Sequence, residues 1–290
     1  MKHISIAIIS IAIFALAGCS EHKAEQERSI FVSIAPLKPI VEGIVGDDFD
    51  IEVLVPQGSS PETFEPKPRD LRKLENARLF FSTGLLDFEN TLVKRIVKEE
   101  KVVNLSQGIH LLAGSCSHHH DHSHCHSEGH AHGIDPHIWC SPKAIGTMAD
   151  NAYKAIAAAM PDSVKYSDNY NELCVKILEL NEEVMEMCRI SPNKVFIIYH
   201  PALSYLARDY NLQQIAIEHE GKEPSARRLG EIINLARKNK IRNILYQSEF
   251  PASSVEVICQ DIEGEAVEIN PLAEDIFTNI RTIVSTITKR

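Results

Sequence analysis

Residues 164–188 read VKYSDNYNELCVKILELNEEVMEMC, a stretch with neither glycine nor proline. Pro161 interrupts the helical pattern just upstream of it. At about 1.5 Å per residue, an unbroken helix of this length spans roughly 38 Å, which is enough to run the length of a small protein. We therefore predict one long, rigid helix within residues 161–189 that links two folded lobes and restricts hinge motion between them.

Strands and helices alternate on the N-terminal side of the predicted long helix. Four apolar runs predict strands, at residues 30–34, 51–55, 79–82 and 101–105. Helical spacing of apolar residues predicts three intervening helices, at residues 37–45, 69–77 and 85–97. Such alternation is typical of a parallel sheet flanked by helices. Residues 29–160 are therefore predicted to form an N-terminal α/β lobe.

The same alternation returns after the long helix. Strands are predicted at residues 194–199, 212–217, 241–246 and 266–269. Helices are predicted at residues 201–210, 225–239, 253–264 and 275–288. Ser225 is the predicted N-cap of the second of these helices, and Gly264 is predicted to close the third. Residues 190–290 should thus form a C-terminal lobe, and the predicted fold class is α/β: two lobes, each with a mainly parallel β-sheet flanked by helices.

The first residues indicate export. Lys2 precedes an apolar run at 4–17 that is too short for a membrane span and fits a secretory signal peptide. The run ends in Leu-Ala-Gly-Cys, a lipobox-like sequence, so residues 1–18 are predicted to be a lipoprotein-type signal peptide and Cys19 the lipidated residue. Polar residues 19–28 are the expected tether to the periplasmic or cell-surface side of a membrane. The alternative is an ordinary signal peptide, with Cys19 incidental.

Charge and cysteine content narrow the function further. The formal net charge is −10, with no basic patch, which argues against nucleic-acid binding and is compatible with cation capture. Six cysteines follow Cys19, yet Cys174 and Cys188 lie too far apart along one predicted helix to form a disulfide. For Cys116 and Cys125, a disulfide and metal ligation both remain open.

Residues 116–132 read CSHHHDHSHCHSEGHAH. This segment holds eight of the fourteen histidines, at His118, His119, His120, His122, His124, His126, His130 and His132. It is nearly devoid of apolar residues, so we expect a mobile loop that packs in no core. Imidazole suits zinc, copper and nickel, and the sequence therefore predicts an auxiliary metal-binding loop.

Polar residues also follow the predicted strands. His200 comes directly after strand 194–199, Glu62 lies in the turn after strand 51–55, and His137 follows Pro136 close to the histidine-rich segment. Weaker candidates stand after the last two strands, at Gln247, Glu249 and Asn270. Open α/β sheets bind ligands outside the carboxyl ends of their strands, so the oxygen and imidazole groups that follow the strands are predicted to lie at one ligand-binding edge.

Five segments together carry a family resemblance. They read VPQGSSPETFEP at 55–66, DPHIW at 135–139, YHPA at 199–202 followed by Tyr205, EHEGKEPS at 218–225 and NPL at 270–272. In order and spacing the chain resembles the cluster A-I substrate-binding receptors of zinc and manganese ABC importers, the periplasmic solute-binding protein 9 family. The resemblance implies two α/β lobes, a long linking helix, a metal between the lobes and no catalysis. It also implies a monomer that works with a permease and an ATPase.

Two positions depart from that family's ligand pattern. His137 and His200 match family ligands, whereas Glu62 stands where the family usually has histidine and Asn270 where many members have a ligating aspartate. The site could be completed by water, by the histidine-rich loop, or by Gln247 or Glu249. The loop favours Zn²⁺ as the transported ion, and Glu62 keeps Mn²⁺ or Fe²⁺ open.

The sequence thus predicts an extracytoplasmic lipoprotein that captures Zn²⁺ and delivers it to an ABC importer. One alternative is a free periplasmic metal chaperone or buffer that works without an importer. Another is a zinc-dependent hydrolase, because two histidines and a carboxylate with an open position also suit a catalytic zinc. The sequence contains no His-Glu-x-x-His motif, and we predict no catalytic residue.

Overall fold

A computed structural model describes residues 29–114, 133–161, 164–218, 222–250 and 252–289. The predicted signal peptide, Cys19, the tether and the histidine-rich segment at 116–132 lie outside these residues. Within the described ranges, no helix is both long and apolar enough to cross a membrane.

The first half of the chain builds a four-stranded parallel sheet. Its strands are β1 (Ser29–Val32), β2 (Asp50–Val53), β3 (Leu79–Ser82) and β4 (Val102–Asn104), in the order β2-β1-β3-β4. The central strands β1 and β3 are the most apolar and the most buried, which is why their sequences read as near-continuous hydrophobic runs. The flanking helices are α1 (Lys38–Val45), α2 (Pro68–Asn76) and α3 (Pro142–Ala159).

The second half repeats the arrangement. Its strands are β5 (Val195–Ile198), β6 (Gln213–Ala216), β7 (Asn243–Tyr246) and β8 (Glu265–Glu268), all parallel, in the order β6-β5-β7-β8. Its helices are α5 (Ser204–Asp209), α6 (Ala226–Asn239), α7 (Ser253–Ile262) and α8 (Ile276–Thr288). In each sheet the second strand pairs on one side of the first strand, and the third and fourth strands follow on its other side. The carboxyl ends of β1 and β3, and of β5 and β7, are therefore topological switch points, where such sheets bind ligands.

The long helix α4 (Val164–Ile190) packs against both halves. It contacts α1 and α3 on one side and α8 on the other. Its buried residues recur at helical spacing, at Leu173, Ile177, Leu180 and Val184. The predicted linking helix is thus present with closely similar bounds, whereas the lobe boundaries at 160 and 190, and the restriction of hinge motion, stay predictions.

Two predicted helices start later than expected. The helix predicted at 85–97 begins at Asp87, passes through a π-helical turn (Glu89–Val93) and continues as Lys94–Ile96. The buried Glu89 carboxylate accepts hydrogen bonds from the backbone N–H groups of Thr83, Leu85 and Leu86, which holds that segment as a turn. The helix predicted at 201–210 begins at Ser204.

The remaining details follow the expected local chemistry. Ser225 caps α6 by accepting a hydrogen bond from the backbone N–H of Arg228 at 3.2 Å. At the end of α7, Glu263 adopts the left-handed conformation and Gly264 follows it, so the helix ends at Ile262, two residues before the predicted glycine. The cysteines in the described part of the chain are free thiols, at Cys140, Cys174, Cys188 and Cys259.

Candidate metal centre

Glu62, His137 and His200 meet at one point. One ligand atom from each lies within 4.8 Å of the other two. The Nε2 atoms of His137 and His200 are 3.4 Å apart, and Glu62 Oε1 lies 3.2 Å from His200 Nε2 and 3.7 Å from His137 Nε2. Two imidazole nitrogens and a carboxylate oxygen therefore face a common centre.

Different parts of the fold supply these three residues. Glu62 lies in the turn after β2 and His137 immediately precedes a short 3-10 turn, Ile138–Cys140. His200 follows β5, at the switch point of the second sheet. The three side chains thus meet at the seam between the two halves, and metal ligation by them stays a prediction.

A carboxylate fixes the His137 ring. Asp135 Oδ1 lies 2.8 Å from His137 Nδ1 and also accepts the backbone N–H of His137 at 2.9 Å. Burial favours the neutral acid, but the hydrogen bond and charge of His137 outweigh it and lower the pKa of Asp135. An ionised Asp135 orients the ring so that Nε2 points to the centre.

A second carboxylate fixes the His200 ring. Glu218, which follows β6 and is buried, places Oε1 2.7 Å from His200 Nδ1. Carboxylate–histidine pairs of this kind orient metal-binding imidazoles and make them stronger donors. Both histidines are therefore held by Nδ1 and leave Nε2 free for a ligand.

The electrostatics of the centre are those of a cation site. Burial opposes a charge on His200, but hydrogen bonds to Glu218 and Glu62 outweigh it and raise the pKa of His200 from 6.5 to about 9. Burial likewise opposes a charge on Glu62, yet the hydrogen bond and charge of His200 lower the pKa of Glu62. In the metal-free protein at neutral pH, a proton on His200 thus pairs with the Glu62 carboxylate.

Aromatic side chains shield the centre on one side. The Phe250 ring stacks on His200 with centroids 4.7 Å apart, and the Trp139 ring lies 5.2 Å from that of His137. The Trp139 indole N–H donates to the carbonyl of Pro271 at 3.0 Å, across the seam. The Glu62 side chain remains 37% exposed, so the centre opens to solvent on the Glu62 side.

The weaker candidates occupy three different positions. Gln247 is buried beside His200 and holds its backbone, because Nε2 donates to the His200 carbonyl at 3.0 Å. Glu249 lines the same small cavity as the two histidines. Asn270 is exposed and its Oδ1 accepts the backbone N–H of Leu272 at 2.9 Å, which closes a turn. Metal ligation by any of the candidates stays a prediction.

The two supporting carboxylates, Asp135 and Glu218, were not predicted from the sequence. Asp135 stands two residues before His137, close enough to bond both its backbone and its ring. Glu218 stands near the carboxyl end of β6, the strand beside β5, so the strand-end argument that selected His200 could also have selected Glu218. The eight histidines of the 116–132 segment lie outside the described residues.

Comparison with known proteins gives concordant matches. The chain is 28% identical to the zinc-binding lipoprotein AdcA of Streptococcus pneumoniae over 94% of its own length and 56% of that protein's length. It is 29% identical to the high-affinity zinc uptake system protein ZnuA of Bacillus subtilis, over 88% of this chain and 81% of the relative. The chain thus spans little more than half of the pneumococcal relative.

A solved crystal structure of ZnuA has the same fold. It superposes with a TM-score of 0.80 at 32% identity, over 90% of this chain and 98% of the other. This likeness and the two parallel sheets confirm the predicted two-lobed α/β class. The family model described as periplasmic zinc-uptake complex component A matches residues 30–290. The chain therefore belongs to the ZnuA family, which confirms the resemblance to zinc importer receptors drawn from its sequence.

Proposed function

We propose that this chain is an extracytoplasmic substrate-binding protein that captures Zn²⁺ at Glu62, His137 and His200 and delivers it to an ABC importer. The observation that carries the proposal is the convergence of two carboxylate-supported imidazoles and one carboxylate within 4.8 Å at the seam. The names of the zinc-binding and zinc-uptake relatives support the choice of zinc as the substrate.

The donor set explains how such a protein can both bind and release its substrate. Imidazole and carboxylate are ordinary zinc ligands, and three protein ligands leave an open coordination position for water. Carboxylate also suits Mn²⁺ and Fe²⁺, so these ions are weaker competitors in the proposal. Because the ligands come from both halves, separation of the halves dismantles the site and frees the ion. The proposal assigns no catalytic residue.

The proposed partners are a membrane permease and an ATPase. The mature chain acts as a monomer outside the cytoplasmic membrane, held near the importer by a lipid on Cys19. Growth of a host strain at low zinc tests this part. A receptor loses its effect on zinc uptake when the permease gene is deleted, whereas a free chaperone or buffer still protects cells that lack the permease.

Metal competition on the mature chain tests the binding site. His137→Ala and His200→Ala should each weaken zinc binding by more than about 100-fold, because supporting partners alone are worth about 10–100-fold. His110→Ala is the matched control, since His110 is exposed and outside the three-residue centre. Equal affinities for all four proteins would overturn the site assignment.

A further inference from the structure

A buried hydroxyl links the second half of the chain to the segment that carries His137. Tyr205 lies on α5 and is 0% exposed. Its hydroxyl donates to the backbone carbonyl of Asp135 at 2.7 Å and accepts the backbone N–H of Leu112 at 3.1 Å. Asp135 and Leu112 precede the long helix, whereas α5 follows it, so both hydrogen bonds cross the seam.

The two partners of Tyr205 are themselves paired. Asp135 N–H donates to the carbonyl of Leu112 at 3.0 Å, and Gly114 N–H donates to the carbonyl of Gly133 at 2.5 Å. Ala113 and Ile134 form an antiparallel bridge between these pairs. We refer to residues 112–114 and 133–135 as the stem. A single hydroxyl thus holds both strands of the stem at its base.

A second contact from α5 holds the same region. The Arg208 guanidinium lies over the Tyr205 ring, 5.1 Å from its centroid, and donates to the carbonyl of His110 at 2.6 Å. The side chain of Tyr205 is therefore enclosed between Arg208 and the stem. A buried hydroxyl that makes two hydrogen bonds has little freedom to move independently of its partners.

The stem leads directly to the metal centre. The backbone carbonyl of Asp135 accepts the hydrogen bond from Tyr205. Its carboxylate accepts the backbone N–H of His137 and is hydrogen-bonded to His137 Nδ1. His200, in contrast, is held by Glu218 from its own half. The partner that orients His137 through Nδ1 is therefore itself held from across the seam, whereas the Nδ1 partner of His200 comes from the same half as His200.

We infer that Tyr205 is a positioning residue for His137, and that it couples contact between the two halves to the affinity of the metal site. The inference rests on the proposed function. When the halves part, the hydrogen bond from Tyr205 to the Asp135 carbonyl breaks, the backbone that carries the Asp135 carboxylate loses this anchor, and His137 becomes a poorer ligand. Opening thus weakens the site through its support as well as through the distance between its ligands.

Tyr205→Phe tests the inference, because it removes the hydroxyl and keeps the ring. Tyr210→Phe is the matched control: it removes a hydroxyl that donates to Asn181 Oδ1 at 2.8 Å, from a buried tyrosine beside the same helix. We expect zinc affinity to fall by about 10-fold or more in Tyr205→Phe, as for loss of a supporting partner. The visible spectrum of the Co²⁺-loaded protein should change as well, since it reports ligand geometry at saturation. Tyr210→Phe should change neither.

A double-mutant cycle of Tyr205→Phe with Asp135→Asn tests whether Tyr205 affects zinc affinity through the Asp135 carboxylate. If Tyr205 acts through the Asp135 carboxylate, Tyr205→Phe should cost much less zinc affinity in the Asp135→Asn background than in the wild type. Full additivity would overturn the inference, as would a Tyr205→Phe variant that matches Tyr210→Phe in affinity and Co²⁺ spectrum. Failure of the wild-type chain to bind zinc would instead overturn the proposed function.

Discussion

At the scale of single residues, the metal-free centre holds a proton where a metal ion would bind. Burial works against that charge, yet Glu218 and Glu62 raise the pKa of His200 from 6.5 to about 9. With this elevated pKa, a metal ion that binds His200 as proposed has to displace a proton from it throughout the neutral range. An ordinary histidine pKa would place this competition about 2.5 pH units lower.

The pH dependence of zinc binding follows from that exchange. Between pH 7 and 8, the apparent zinc affinity of the chain should rise by up to about tenfold, because one proton is displaced per ion and the proton concentration falls tenfold. The measurement is metal competition at the two pH values, corrected for the competitor's own proton binding. An affinity that stays constant over this interval contradicts the prediction.

The same pKa sets a pH window for the metal-free fold. Since the pKa of His200 is raised on folding, its contribution to stability is fully present below about pH 6.5 and is lost as the pH rises through about 9. Thermal unfolding of the metal-free protein should accordingly show a falling midpoint over this window. His200→Ala should lack this component of the fall.

Glu218→Gln isolates the role of the carboxylate behind His200. Glutamine keeps the size of the side chain but removes the charge that makes His200 a stronger donor. We expect a loss of about 10–100-fold in zinc affinity, with the fold retained. Glu265→Gln, on an exposed position of β8, is the control and should bind zinc like the wild type. Equal affinities for the two variants would show that Glu218 has no part in metal binding.

The sequence predicted the three candidate ligands, but neither the carboxylates that support them nor the pKa of His200. The placement of Glu62, His137 and His200 at one centre followed from strand ends and segment order, both of which are local features of the sequence. The roles of Asp135 and Glu218 could be assigned only from interatomic distances in the structure. A carboxylate two residues away, or after the neighbouring strand, can equally well face solvent. The raised pKa of His200 could not be predicted, since it depends on burial and on two carboxylates from different parts of the chain.

At the scale of secondary-structure elements, two glycines should respond in opposite ways to the same substitution. A Cβ on Gly264 would clash with the backbone oxygen of Arg242, while a Cβ on Gly230 would meet no atom within 4 Å. Gly264→Ala should lower the free energy of unfolding by about 1–3 kcal/mol. Gly230→Ala, inside α6, should raise it by up to about 1 kcal/mol, because alanine loses less entropy in a helix.

Urea unfolding of the metal-free chain measures both effects. The pair controls for the substitution itself, since each variant gains one methyl group. A destabilised Gly230→Ala would mean that α6 packs more tightly at that position than its surroundings indicate. An unchanged Gly264→Ala would mean that the turn after α7 relaxes without cost.

Helix and strand bounds were predictable where one sequence feature, such as an apolar run, decides them. They were less predictable where helical spacing competes with a side chain that binds the backbone. The strand at 79–82 has the predicted bounds, because its residues are apolar and buried on both faces. The segment after it has helical spacing from Leu85, but the Glu89 carboxylate binds the N–H groups that would otherwise enter the helix. The helix therefore begins at Asp87, two residues later than the spacing of apolar residues predicts.

At the scale of the whole molecule, the stem makes the histidine-rich segment removable. Gly114 N and Gly133 O are 2.5 Å apart, so a chain without residues 116–132 needs only a short link to close. We expect the deletion to remove from a titration the weak zinc sites that the eight histidines are predicted to form, and to leave one tight site at Glu62, His137 and His200. Uptake should suffer chiefly at low external zinc.

Two results of that deletion would contradict the prediction. Loss of the tight site would mean that the segment supplies a primary ligand, in place of the aspartate that Asn270 replaces. Retention of every weak site would mean that the eight histidines do not bind zinc. Isothermal titration of the deletion variant beside the wild-type chain distinguishes both results from the expected one.

The position of Trp139 gives the molecule a built-in optical probe. The chain has a single tryptophan, and its indole is 1% exposed, beside His137 and bonded across the seam to Pro271. All of the indole emission therefore arises from one point, where metal capture and separation of the halves coincide. We expect ion binding at His137 to change the intensity of that emission, and parting of the halves to shift it to longer wavelength as water reaches the indole. The kinetics of capture and release can thus be followed by stopped-flow fluorescence on the unlabelled protein.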